Sequence, residues 1–150
     1  MPKSENKALS VRAIVAFYRE FERAAREDDI SLGQYRTMLY LKGGAKRAGA
    51  IAAAGAVKKP TVSAMLNALR EKGWIRDEAD PDDGRAIAVA LTAAGRARIE
   101  SFEKRLAGHM EALVPEPDLS ALREALASAY LDLGSTREER QKDIEKQFLE

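Results

Sequence analysis

Asp80-Pro81-Asp82-Asp83-Gly84-Arg85 runs without a break into Ala86-Ile87-Ala88-Val89-Ala90-Leu91 and then into Thr92-Ala93-Ala94-Gly95-Arg96. Pro81 presets φ for a turn, aspartates bond their own downstream backbone, and Gly84 tolerates positive φ. On the left, Trp74-Ile75-Arg76-Asp77-Glu78 is β-compatible; on the right, Ile87, Val89 and Leu91 recur at period two. The two runs predict an antiparallel pair whose acidic turn projects as a tip, followed by a helix.

Upstream lie two helical stretches. Ala48 to Val57 is short and Ala-rich, with Ile51 and Val57 as its larger apolar residues. Lys58-Lys59-Pro60-Thr61 punctuates it before a second helix from about Pro60 to Lys72, since proline fits a first helical turn. Val62, Leu66 and Leu69, with Met65 beside them, form one buried face, leaving Thr61, Ser63, Ala64 and Asn67 on others. Gly73 closes the helix where a left-handed residue is needed. A hairpin directly after such a pair is a wing on a helix-turn-helix.

The run Ile51-Ala52, Val57-Lys58-Lys59-Pro60-Thr61-Val62-Ser63, Leu66, Leu69, Lys72-Gly73-Trp74-Ile75-Arg76, Asp80-Pro81-Asp82-Asp83-Gly84-Arg85, Leu91-Thr92 and Gly95-Arg96 resembles the MarR family of bacterial transcription regulators. The Asp-Pro-x-Asp-x-Arg wing followed by Leu-Thr-x-x-Gly is its most specific part, and the likeness covers roughly residues 8 to 133. It implies a mostly α (α+β) fold: a winged helix-turn-helix with N- and C-terminal dimerisation helices that entwine with a second chain. Residues 1–30 and 112–150 would form the dimerisation region, and 31–111 the DNA-binding domain with its long connecting helix. The chain departs from the pattern at Lys58, Ala64 and Gly84, where relatives commonly carry Ser, Arg and a second wing Arg, and at Gly55-Ala56 in place of Leu-Gly.

Charge fits that reading once it is mapped. The whole chain sums to +1. From Lys42 to Arg76, however, eight cations (Lys42, Lys46, Arg47, Lys58, Lys59, Arg70, Lys72, Arg76) face one acid, Glu71, for a local +7. Five acids, Asp77, Glu78, Asp80, Asp82 and Asp83, then precede Arg85, so the turn reads as an acidic spacer that makes Arg85 the only nearby cation of the wing. Local cationic excess neutralises phosphates and releases counterions. Lys58 and Lys59 at the helix start would face phosphate, Thr61, Ser63 and Asn67 suit base edges in the major groove, and Lys46, Arg47, Pro60 and Arg76 complete the candidate DNA-binding set. By resemblance Asp83 orients Arg85 toward the minor groove. The plainer readings are solvated helix residues for Ser63 and Asn67 and a turn-stabilising ion pair for Asp83 and Arg85.

The rest of the chain is helical by period. Residues 8 to 27 carry Val11, Ile14, Tyr18, Phe21 and Ala25 on one stripe with Phe17 adjoining. After Asp28-Asp29, Ser31 and Gln34 make a capping box and Ile30 can staple onto Tyr35, so a helix runs from Leu32 to Gly43-Gly44. Thr92 caps a long helix with Ile99, Phe102, Leu106, Met110 and Leu113 on one side, stopped by Pro115 and Pro117. Asp118 opens another with Leu119, Leu122, Leu126, Tyr130 and Leu133, closed by Gly134. From Ser135 to Glu150 a further short amphipathic helix is predicted, with a Ser135/Glu138 capping box and Ile144 and Phe148 four apart; it packs on a partner protomer or frays.

With 45% hydrophobic residues and no apolar run near the roughly 20 residues of a membrane span, the chain reads as a globular, cytoplasmic protein without a signal peptide. The absence of cysteine removes disulfides, thiolate zinc sites and thiol sensing, and the lone histidine, His109, argues against the His-and-acid zinc clusters of some relatives. No cofactor or metal is expected. One histidine and no phosphate loop also leave no catalytic constellation, so the chain is not read as an enzyme.

The resemblance implies a small-molecule effector in a cleft lined by Arg12, Tyr18, Tyr35, Met38 and His109, and aromatic walls with a cation suit an aromatic acid; acyl-thioesters are the other class to screen. Core packing explains the tyrosines and Met38 equally well. The function read from the sequence is a homodimeric, ligand-responsive repressor on double-stranded, pseudo-palindromic operator DNA. The alternative is a winged helix kept for protein–protein contact.

Overall fold

A computed structural model describes residues 2–55 and 57–149. The elements are α1 (Lys3–Glu27), α2 (Leu32–Leu41), α3 (Ala48–Gly55), α4 (Lys59–Glu71), β1 (Ile75–Ala79), β2 (Ile87–Leu91), α5 (Ala93–Leu113) and α6 (Asp118–Leu149).

Local signals account for most boundaries. At α2 the Gln34 N–H donates to Ser31 Oγ at 2.9 Å and the Ser31 N–H to Gln34 Oε1 at 3.0 Å, a reciprocal capping box. Gly73, at φ 72°, takes the left-handed conformation that ends α4. Thr92 does two jobs: its Oγ accepts the Gly95 N–H at 3.0 Å, capping α5, and donates to the Gly73 carbonyl at 2.7 Å, tying the start of α5 to the end of α4.

Two helix boundaries differ from the sequence reading. α1 begins at Lys3 rather than near residue 8, with the Pro2 carbonyl accepting the Glu5 and Asn6 N–H groups. Lys3 to Lys7 lack an apolar period but contain nothing that breaks a helix. α6 runs through Gly134 to Leu149 instead of closing there. A helical glycine costs only about 1 kcal/mol against alanine, and Arg137, 4.5 Å over the Tyr130 ring, spans that turn. The side chains of Ser135, Ile144 and Phe148 lie outside the described residues.

β1 and β2 pair antiparallel in the register Ile75↔Leu91, Asp77↔Val89, Ala79↔Ile87, with β1 one residue further along than the β-compatible run Trp74 to Glu78. Lys46 joins the other edge of β2 through two backbone hydrogen bonds with Val89, at 3.0 and 2.8 Å. Covered along both edges, β2 buries Ala88, Val89, Ala90 and Leu91 together, so the simple alternation fails; Ile87, beyond this cover toward the tip, is 68% exposed.

The core joins Met38 and Leu41 of α2, Ile51 of α3, Val62, Leu66 and Leu69 of α4, Ile75 and Leu91 of the hairpin, and Ile99, Phe102 and Leu106 of α5. Gly95 lets α5 close on the hairpin: a Cβ there would overlap the Trp74 carbonyl oxygen and approach Leu91 Cδ1 to 2.7 Å. Two cations approach the Trp74 ring, Lys72 Nζ at 4.7 Å from its centroid and the Arg98 guanidinium at 5.3 Å. Apart from Ile51, α3 carries only methyl groups and hydrogens, and α6 packs against it.

The two end helices are different. Of the predicted α1 stripe, Ala25 is buried and Phe21 partly so, whereas Val11, Ile14 and Tyr18 are open, Ile14 at 65%. On α6 Leu119 is buried, but Leu126, Tyr130 and Leu133 are exposed, and on α5 so is Leu113. Among the described residues, no helix is long and apolar enough to cross a membrane.

Candidate nucleic-acid interface

Burial of Val62, Leu66 and Leu69 fixes the rotation of α4, and Thr61, Ser63, Ala64 and Asn67 all point outward. Lys58, Lys59 and Pro60 are exposed at its first turn, where free backbone N–H groups add positive potential. This face carries small polar groups at one end and cations beside them, as a groove-entering helix requires. Arg70, not singled out from the sequence as a site residue, organises its other end. Arg70 Nη1 donates to Asn67 Oδ1 at 2.9 Å, while Nε and Nη2 donate to Asp77 Oδ1 at 3.0 and 2.9 Å. Asn67 is thus steadied through its Oδ1, and among the described residues its amide N–H₂ is left to donate. The spacing of three between Asn67 and Arg70 was the available signal.

The wing turn is built around Asp80, 9% exposed. Asp80 Oδ1 accepts the backbone N–H groups of Asp82 and Asp83 at 2.8 and 3.2 Å, and Asp80 Oδ2 receives Arg47 Nε at 2.6 Å. Arg47 Nη2 also lies 3.7 Å from Asp83 Oδ2. Arg85 is therefore not the only cation near the wing, as the sequence reading had it: the tertiary fold brings Arg47 in from 33 residues away. Asp83 also does not grip the Arg85 guanidinium; its Oδ1 accepts the Arg85 backbone N–H at 3.1 Å. Among the described residues no ion pair engages that guanidinium, and the side chain is exposed. Arg76 pairs with Glu78 at 3.2 Å, and Lys46 Nζ sits 5.2 Å over the Tyr40 ring.

Arg47, first, and then the turn N–H groups hold the Asp80 carboxyl below its ordinary value, while Asp80 raises the Arg47 guanidinium. A depressed carboxylate contributes stability above its unfolded value and loses it as pH falls through the folded one. The Asp80 side-chain ¹³C signal should accordingly titrate below the usual value of about 3.9, and Arg47→Ala should move the midpoint back up; an unchanged midpoint would show the pair to be weak in solution.

The five cleft candidates do not line one cavity. Met38 is fully buried in the core cluster, as the core-packing reading of that residue has it. Tyr35 meets Phe102 edge-on at 5.2 Å and donates to Glu103 at 2.8 Å; burial first and this carboxylate second push its hydroxyl upward. Arg12 and Tyr18 lie on the open side of α1, and His109 is half-buried on α5. An open pocket instead forms where α1, α2 and the end of α4 meet, lined by Glu22, Asp29, Ser31, Gln34 and Lys72 among others. Among the described residues no group of three His, Asp or Glu is placed to hold a metal.

These elements define a winged helix-turn-helix between long helices. Residues 28–86 match the sequence pattern of the MarR family. The match covers the second helix through the wing turn and is a similarity to that family of transcription regulators.

Solved structures agree at the level of fold. A point mutant of MepR from S. aureus bound to an oligodeoxyribonucleotide superposes with a TM-score of 0.61 at 22% identity, over 85% of this chain and 97% of that one. A mutant of MarR from E. coli gives 0.64 at 19%, over 86% and 96%. YusO from Bacillus subtilis gives 0.63 at 22%, over 87% and 94%. No curated protein matches the chain in sequence.

Proposed function

We propose that the protein is a homodimeric DNA-binding transcription regulator of the cytoplasm, acting as a repressor that a small aromatic or acyl ligand releases from a pseudo-palindromic operator. The observation that carries this reading is the pairing of an outward-facing α4 surface, Lys58 to Asn67, with a wing whose Arg85 is exposed and whose guanidinium has no ion-pair partner among the described residues. The open apolar faces of α1 and α6 support the dimer, with residues 1–30 and 112–150 as its region and 31–111 as the DNA-binding part. Two-fold symmetry would then set two α4 helices one helical turn apart on DNA. An effector works only by preferring the dimer in which that spacing is wrong; Arg12 and Tyr18 would border its site together with a partner chain, and a thermal-shift screen over aromatic acids and acyl-thioesters identifies it.

Fluorescence anisotropy on the intergenic DNA upstream of its own coding sequence tests the reading, with specific, salt-sensitive binding as the expected result and no specific shift as the result that overturns it. Arg85→Ala should weaken binding about tenfold to a hundredfold, the range of one good groove contact, while sedimentation shows an unchanged dimer. The second reading, a winged helix serving protein contact, draws on Ala64 and Gly84, which leave the groove-facing surface short of long side chains. Reversing charge at Lys58 and Lys59 separates the two, because only DNA binding should collapse.

A further inference from the structure

We infer that Arg47 is a positioning residue: a strut from the start of the first helix of the helix-turn-helix to the wing, which sets the angle at which Arg85 is presented. The last step of this inference rests on the DNA-binding reading; the strut itself does not.

Arg47 immediately precedes α3, and its carbonyl accepts the Ile51 N–H at 3.1 Å, the first hydrogen bond of that helix. A cation is unfavourable at this end of a helix, where the backbone N–H groups already concentrate positive charge and a short polar or acidic side chain is the usual occupant. The Asp80 carboxylate offsets both charges. It is nine-tenths buried, yet it is shared between the turn N–H groups of Asp82 and Asp83 on one oxygen and Arg47 Nε on the other. Breaking the pair would leave a mostly buried carboxylate short of a partner, so the arrangement resists loosening.

The neighbouring residue makes the geometry rigid. Lys46 is fastened by its backbone to Val89, in the body of β2. Successive residues therefore hold the hairpin at two places, Val89 toward its base and Asp80 at its tip, with a weaker third contact from Arg47 Nη2 to Asp83. One attachment lets a two-stranded hairpin swing, whereas two fix its direction. Asp83 carries that direction onward by accepting the Arg85 N–H, so the backbone of Arg85 is set while its guanidinium stays exposed. Arg47 itself is committed to carboxylates and is not free for phosphate.

Two measurements decide this. In the protein alone, hydrogen exchange at the Asp82 and Asp83 amides should speed up at least about tenfold in Arg47→Ala, by the loss of the charge-assisted bond that holds their acceptor. Asp80→Asn, which keeps an oxygen for the turn but loses the ion pair, should do the same while circular dichroism stays that of the wild type. Unchanged exchange in both variants overturns the strut.

On DNA, Arg47→Ala should weaken binding about tenfold in the wild-type background and very little in the Arg85→Ala background, the non-additivity expected of residues acting as one unit. An equal loss in both backgrounds, with the salt slope falling by about 0.9 in the second, would make Arg47 a phosphate contact and overturn the proposal. If the wild type binds no operator, the functional reading fails, and amide exchange still decides the strut.

Discussion

Gly95→Ala is expected to destabilise the protein by about 3 kcal/mol, at the upper end of overpacking costs. The added methyl would overlap the Trp74 carbonyl oxygen and crowd Leu91 Cδ1. A flexible side chain could swing away, but the carbonyl belongs to the turn that accepts the Thr92 N–H at 3.0 Å and cannot yield without releasing the cap of α5. Helix propensity works the other way, favouring alanine by about 1 kcal/mol; the steric cost is the larger, so the sign is not in doubt. For a chain of this length the melting temperature should drop by about 10 °C, read by calorimetry. A change within about 2 °C would mean that α5 slides along the hairpin and that the close approach is soft.

Ile14→Glu combined with Leu126→Glu should convert a dimer into a monomer, measured by sedimentation equilibrium. Both side chains are largely exposed in the single chain, Ile14 at 65% and Leu126 at 44%, so the fold has little reason to change and helicity should be retained. A two-fold interface contains each substitution twice, and every buried, unpaired carboxylate costs several kcal/mol. The dimer dissociation constant should rise by at least about a thousandfold on those magnitudes. Operator affinity should fall with it, since one α4 then reaches only one half-site. A variant that still sediments as a dimer places the interface elsewhere.

What could be read in the sequence was what local chemistry decides. The Ser31 capping box, the Thr92 cap, Gly73, the Val62, Leu66 and Leu69 face and the Asp80 turn each depend on residues within a few positions of one another, and each is present. Gly134 misled because a glycine stops a helix only when the following residues favour another conformation, and Ser135 to Arg140 do not. Periodicity marks which helical face is apolar without telling a core from a cleft: Met38 fits either in the sequence and is buried in the core, while Ile14 and Tyr18 share a stripe with Ala25 although only Ala25 is buried. Arg47 was recognised as a cation beside the helix-turn-helix. Its partner was not, because no pattern in the chain links residues 33 apart until β2 is flanked by both β1 and Lys46. Arg70 was passed over for a similar reason, since its role depends on Asp77 folding back toward α4.

Trp74 is the single tryptophan of the chain. Its ring is approached by Lys72, which closes α4, and by Arg98, in the second turn of α5, while its carbonyl receives the Thr92 N–H. Any rotation of the wing and α4 against α5 changes the distance of one or both cations from the indole, and with it the emission wavelength and quenching of the ring. The protein thus carries its own optical gauge at the joint between the surface proposed to read DNA and the helix leading toward the proposed dimer region, and an unlabelled sample can report in real time whether an added ligand moves one against the other.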